Sequence, residues 1–119
     1  MNENFNKTRN VIPMSPELVD LILSGEKIKT YRFGHKYDHL KVGDRVKITN
    51  SQSNELITNA IIIDKFYQDF KDLPIDIPGH EPYQNKEHQR QIFNGYYKYL
   101  DRPIRDDDKF IVFEFKLLN

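Results

Sequence analysis

Apolar and polar positions alternate most regularly near the C-terminus. There Ile111, Phe113, Phe115 and Leu117 interleave with Glu114 and Lys116. A period of two predicts a central, closing strand over Phe110 to Leu118. The period changes elsewhere. Leu18, Leu21 and Ile22 recur at helical spacing, with Val19 and Leu23 broadening the stripe. Ser15 stands at an N-cap position, Pro16 at the first helical position and Gly25 where the helix stops. A second helical pattern, Gln84 to Leu100, carries Ile92, Phe93, Tyr96, Tyr97, Tyr99 and Leu100, with Gly95 as a weak point. Further strands are predicted over Asn10 to Met14, Ile28 to Phe33 and Arg45 to Thr49. Leu56 to Tyr67 contains the unbroken run Ala60-Ile61-Ile62-Ile63, expected to be buried on both faces. Asn50 to Glu55 reads as a hairpin turn. Asp69 to Pro82, punctuated by Pro74, Pro78, Gly79 and Pro82, is a long connection of the functional or mobile kind.

Strands mixed with two helices and no βαβ repeat give an α+β class with a small curved sheet. The length, 119 residues, fits one domain over 11–118 with a polar, flexible N-terminal tail over 1–10. Hydrophobic residues are only 38% of the chain, so the 13% that are aromatic must supply much of the core. Cysteine is absent, which excludes disulfides and thiolate metal sites. No apolar run approaches the ~20 residues of a membrane span, and the tail shows no signal-peptide pattern. The expectation is a cytoplasmic protein with no membrane association.

The formal net charge of zero hides an asymmetry. Between Lys27 and Lys47, seven Lys or Arg face Asp38 and Asp44, a local excess of five positive charges. Such a face suits a phosphate-bearing ligand better than long-range capture of duplex nucleic acid. Some of these cations, Lys36, Lys41 and Lys47 among them, equally suit exposed strand edges.

Chemistry concentrates in Gly25-Glu26-Lys27-Ile28-Lys29-Thr30-Tyr31-Arg32. Thr30 on a strand is ordinary by propensity, and becomes a nucleophile only if a neighbouring base takes its proton. Lys27 could be that base if burial and like-charge crowding by Lys29 and Arg32 made it partly neutral. A regular strand would set Lys27 and Thr30 on opposite faces, so Lys27 must lie in the turn before the strand begins. The histidines, His35, His39, His80 and His88, do not form a metal-binding pattern; His80 could line a pocket and His88 is expected to face solvent. Neither a metal nor any other cofactor is predicted.

The run resembles the signature of the ASCH domain, a PUA-like family with the pattern G-x-K-x-x-[E/T]-x-R, matched by Gly25, Lys27, Thr30 and Arg32. Its flanks, Pro16 to Leu23, Leu40 to Asp44 and the terminal strand, extend the likeness over Val11 to Leu118. The resemblance implies a β-barrel of five to six mostly antiparallel strands with two main helices. Thr30 makes the motif similar to that of small bacterial ASCH enzymes that hydrolyse N(4)-acetylcytidine. That likeness implies catalytic roles for Lys27, Thr30 and a carboxylate from the proline-rich connection, Glu81 or, in reserve, Glu87. Arg32, Lys29, Tyr31 and Tyr83 are then substrate-binding candidates, with Tyr96 a further stacking candidate. Tyr31 within the motif and the longer connection Asp69 to Pro82 depart from those enzymes.

The function implied is an amidohydrolase removing an acyl group from a modified pyrimidine nucleoside. The alternatives are a non-catalytic module binding RNA or a nucleotide, and an interaction domain with a vestigial pocket. Partners expected are a nucleoside or single-stranded RNA; the oligomeric state is open.

Overall fold

The computed structural model describes residues 10–118, so most of the predicted tail lies outside the described residues. Among the described residues five strands form one mixed sheet: β1 (Val11–Met14), β2 (Lys29–Phe33), β3 (Arg45–Asn50), β4 (Leu56–Asp69) and β5 (Lys109–Leu118). Their order is β1-β3-β4-β5-β2, with β1 parallel to β3 and every other pairing antiparallel. The described residues also form two α-helices, α1 (Val19–Leu23) and α2 (Lys86–Tyr96). The α+β class with two helices is therefore as expected. The barrel is not: β1 and β2 stand at opposite ends of the strand order, and among the described residues no ladder joins them. Proline explains part of this, because Pro13 in β1 has no N–H to donate across such a gap.

The strand β5 is buried on both faces and divides the core in two. Ile111, Phe113 and Phe115 face one cluster, with Ile12, Ile22, Leu40, Ile48 and Ile62. Phe110 and Val112 face another, with Tyr31, Phe70, Leu73, Tyr83 and Phe93 beneath α2. Alternation alone points to the first face only. It gives no sign that α2 and the proline-rich connection cover the second.

Several boundaries differ from the sequence reading. Pro16 to Leu23 splits into a 3-10 turn, Pro16–Leu18, and the short α1; Ser15 makes no capping bond with its side chain. The second helix ends at Tyr96 rather than Leu100, and a 3-10 turn, Lys98–Leu100, leads to Asp101 in the left-handed region. Gly95 leaves α2 unbroken. Asn85 caps it, its side chain accepting from the His88 amide at 2.8 Å. In β4, Ala60 and Ile62 are buried but Ile63 is 45% exposed, so that run is not sealed on both faces. A register shift between Ile62 and Asp64 turns Ile63 outward. The proline-rich connection is well packed, since Phe70 and Leu73 belong to the second core cluster. The Lys86 ammonium secures it by donating to the carbonyls of Phe70 and Leu73 and to the buried Gln89 amide oxygen.

Candidate functional site

The gap between the unjoined ends of the sheet is a cavity of about 300 Å³. Pro13 and Met14 border it from β1, Thr30 to Phe33 from β2, and His80, Glu81 and Tyr83 from the proline-rich connection. Phe93 and Tyr96 of α2 and the following Tyr97 and Tyr99 cover it.

Lys27 reaches this wall from the turn before β2, where the sequence reading puts it. Gly25 ends α1 with φ +83°, a conformation strained for any residue with a Cβ. The Lys27 amide then donates back to the Leu21 carbonyl at 3.0 Å, so the turn is fixed by the helix it leaves. The strand starts at Lys29, one residue later than the alternation suggests, which leaves Lys27 outside the pleat. Its side chain is only 2% exposed, and its ammonium donates to Glu81 Oε1 at 2.6 Å and to the Lys29 carbonyl at 2.8 Å.

Glu81 arrives through Gly79. The Gly79 carbonyl accepts from the amides of Ile28 (2.8 Å) and Lys29 (3.0 Å), tying the connection to the start of β2. At φ +89° and with Ile28 Cγ1 only 2.8 Å from where a Cβ would lie, position 79 has room for glycine alone. Two residues on, the carboxylate meets Lys27. His80 Nδ1 lies 2.8 Å from the Glu81 carbonyl oxygen and 3.3 Å from Oε1. Both neighbours are acceptors, which assigns the proton to Nδ1. The His80 ring stacks on Tyr31, centroids 4.2 Å apart and planes 9° from parallel.

Burial dominates the electrostatics. It lowers the Lys27 pKa to about 8; Glu81 opposes that shift and Arg32 adds to it. Burial, and then the Lys27 charge, lowers His80 to about 4, so its ring is neutral at pH 7. For Glu81, burial alone would raise the pKa, but the charge of Lys27 and its hydrogen bond, with His80, bring it below its ordinary value. Burial raises Tyr31 to about 12, with Glu81 contributing, and raises Tyr83 further. At neutral pH the pair is an ammonium on a carboxylate, with a small neutral-amine population at Lys27.

Thr30 is 4% exposed, and its Oγ1 accepts from Arg32 Nε at 3.3 Å. The threonine hydroxyl keeps its own hydrogen to donate, and the adjacent guanidinium lowers the cost of negative charge on that oxygen. Arg32 also spans the gap, its Nη2 donating to the Pro13 carbonyl at 2.6 Å and contacting Met14 Sδ at 3.1 Å. That one side chain supplies the link between β1 and β2 which a barrel would make with backbone.

Lys27, Thr30, Glu81, Arg32, Tyr31 and Tyr83 thus converge on one cavity, while two candidates do not. Lys29 lies outside the lining and contributes its carbonyl to Lys27. Glu87 is 70% exposed on α2, beside Arg90, because the helix N-terminus turns it to solvent. Of the basic segment, only Lys27, Arg32 and Lys36 border the cavity. His88 is half-buried rather than solvent-facing, with Nδ1 accepting from the Gln84 amide at 3.0 Å. Sequence reasoning misses Tyr97 as a site residue: its hydroxyl accepts from the Phe33 amide on the free edge of β2, at 3.2 Å. No local signal distinguishes Tyr97 from Tyr99 beforehand. Among the described residues no three His, Asp or Glu gather as a metal site, and no helix is long and apolar enough to cross a membrane.

The five-stranded mixed sheet with two helices is the fold of solved ASCH domain structures. The chain shares that fold with an ASCH domain from Lactobacillus crispatus JV V101 (TM-score 0.64, 18% identity, 98% of this chain and 86% of that one). It also resembles the ASCH protein from Zymomonas mobilis (TM-score 0.56, 19% identity, 91% and 68%). A protein from Enterococcus faecalis V583 is similar as well (TM-score 0.69, 14% identity, 86% and 67%). No protein-family model matches the sequence, and no curated protein matches it.

Proposed function

We propose that this protein is an amidohydrolase that removes an acyl group from the exocyclic nitrogen of a modified pyrimidine nucleoside, N(4)-acetylcytidine being the type substrate. The observation that carries the reading is the sealed Lys27 amine, 2.6 Å from Glu81 and in the same cavity wall as Thr30. An amine kept from water with a pKa of about 8 is a usable base near neutrality, and a surface lysine is not. Neutral Lys27 takes the Thr30 proton as Oγ1 bonds to the acyl carbon. The Lys27 ammonium then protonates the leaving nitrogen as the C–N bond breaks. Water, losing a proton to Glu81, attacks the resulting ester; the acid leaves and Thr30 Oγ1 regains a proton. Arg32, beside Oγ1, offsets the charge that develops there. The cavity volume, about 300 Å³, is at the small end for ligand sites and suits one nucleoside.

Purified protein incubated with N(4)-acetylcytidine should release cytidine, followed by chromatography. Thr30→Ala should lower turnover at least ~100-fold, the scale of losing a nucleophile and its general base. Absence of turnover, or turnover unchanged in Thr30→Ala, rejects the reading. The exposed Tyr99 (74%) and Tyr96 (45%) at the cavity rim favour a second reading, a module that stacks bases of single-stranded RNA. Binding of a short RNA that falls steeply with salt, with no turnover, selects it.

A further inference from the structure

Among the described residues, the buried side-chain polar atoms all find hydrogen-bond partners except one, the Tyr31 hydroxyl. Tyr31 is 6% exposed and its ring, stacked on His80, borders the cavity. A buried phenol left without a partner is costly to a folded chain, and it is not kept by packing, because phenylalanine would fill the same space. Strand geometry separates this side chain from Thr30. Thr30 and Tyr31 are consecutive in β2, so their side chains leave opposite faces of the strand. Both residues border the cavity, Thr30 from one face of β2 and Tyr31 from the other, so a ligand group reacting at Thr30 is not the group that meets Tyr31.

We propose that the Tyr31 hydroxyl is a specificity-determining donor that reads a second acceptor on the ligand, a ring carbonyl oxygen, separate from the acyl group presented to Thr30. This deepens the amidohydrolase reading and rests on it for the identity of the ring. The hydroxyl keeps its proton under all ordinary conditions because burial and the nearby Glu81 carboxylate oppose its ionisation. As a neutral phenol it donates better than it accepts. The carbonyl at C2 of cytosine is an acceptor of the right kind, set apart on the ring from an acyl carbon at N4. The chain then selects an acylated amino-heterocycle that also bears a carbonyl, and discriminates against rings that lack one.

The test compares wild type with Tyr31→Phe in the full chain, by calorimetric titration with cytidine and with 2-thiocytidine, whose sulfur accepts hydrogen bonds poorly. Wild type should bind cytidine about tenfold more tightly than 2-thiocytidine, the scale of one good hydrogen bond. Tyr31→Phe should lose that preference, with cytidine affinity falling about tenfold. The ligand-free variant should melt at or above the wild-type temperature, since it sheds an unpaired buried hydroxyl. Equal cytidine affinity in the two proteins overturns the proposal, as does a lower melting temperature, which would mean that the hydroxyl serves the fold. The two readings fail separately. Tyr31-dependent cytidine binding without turnover of N(4)-acetylcytidine leaves the proposal standing and removes the hydrolase. Turnover with no Tyr31 effect on cytidine binding does the reverse.

Discussion

At the scale of single residues, burial rather than crowding sets the chemistry. The sequence suggests two causes for a neutral Lys27, like-charge repulsion from Lys29 and Arg32 and burial. In the folded chain desolvation is the larger cause and Arg32 a minor one, with Glu81 working against both. If neutral Lys27 is the base, kcat/KM should rise about tenfold per pH unit below pH 8 and level off above it, a limb read from initial rates across pH 6 to 9.5. Glu81→Gln should cost at least ~100-fold in kcat, and because Glu81 holds the Lys27 pKa up, any residual activity should level off at a lower pH. Stability carries the same signature. Lys27 binds its proton less tightly folded (about 8) than unfolded (10.5), so its contribution to stability grows as pH rises from 8 toward 10.5. Tyr31, held up at about 12 against 10, takes stability away as pH climbs past 10. His80, held near 4 against 6.5, does so as pH falls through that interval. Urea midpoints should therefore climb between pH 8 and 10, and Lys27→Met should flatten that climb.

At the scale of elements, the site depends on where three segments stop. Gly25 ends α1, the pleat of β2 begins only at Lys29, and Gly79 pins the proline-rich connection to that beginning. Gly79→Ala places a Cβ against Ile28 at a strained φ; it should cost on the order of 1–3 kcal/mol of stability. Turnover should fall with it, because Glu81 then loses its register on Lys27. Differential scanning calorimetry and the cytidine-release assay measure the two effects together. The motif Gly25 to Arg32 was legible because its chemistry exceeds what a strand needs. Glu81 was legible only as one of two carboxylates near the right place; backbone bonds from Ile28 and Lys29 to Gly79, which leave no trace in the pattern, bring Glu81 and not Glu87 to Lys27. The helical stripe of α2 was clear, yet periodicity could not say which tyrosine meets the Phe33 amide. One inward face of β5 was plain from alternation. Its second buried face was invisible, because Glu114 and Lys116 look like solvent positions while Val112 and Phe110 look incidental.

At the scale of the whole molecule, β5 is the spine, laddered to β4 on one side and β2 on the other and packed on both faces. Its amides should be the slowest to exchange with deuterated solvent, and those of β1 and β2 faster. Phe113→Ala removes a wholly buried ring from the larger cluster and should cost about 3–5 kcal/mol in chemical denaturation. Arg32 has a different kind of importance. Its guanidinium is the strut across the seam, so Arg32→Lys should lower stability by ~1.5–3 kcal/mol, the worth of charged hydrogen bonds lost, even before any substrate is added.

The seam has one more consequence. A guest lodged between Pro13 and the outer edge of β2 would act as mortar between two stones that Arg32 now bridges. Occupancy and rigidity are then one variable, and protein saturated with cytidine should show β1 and β2 exchanging at the pace of the spine.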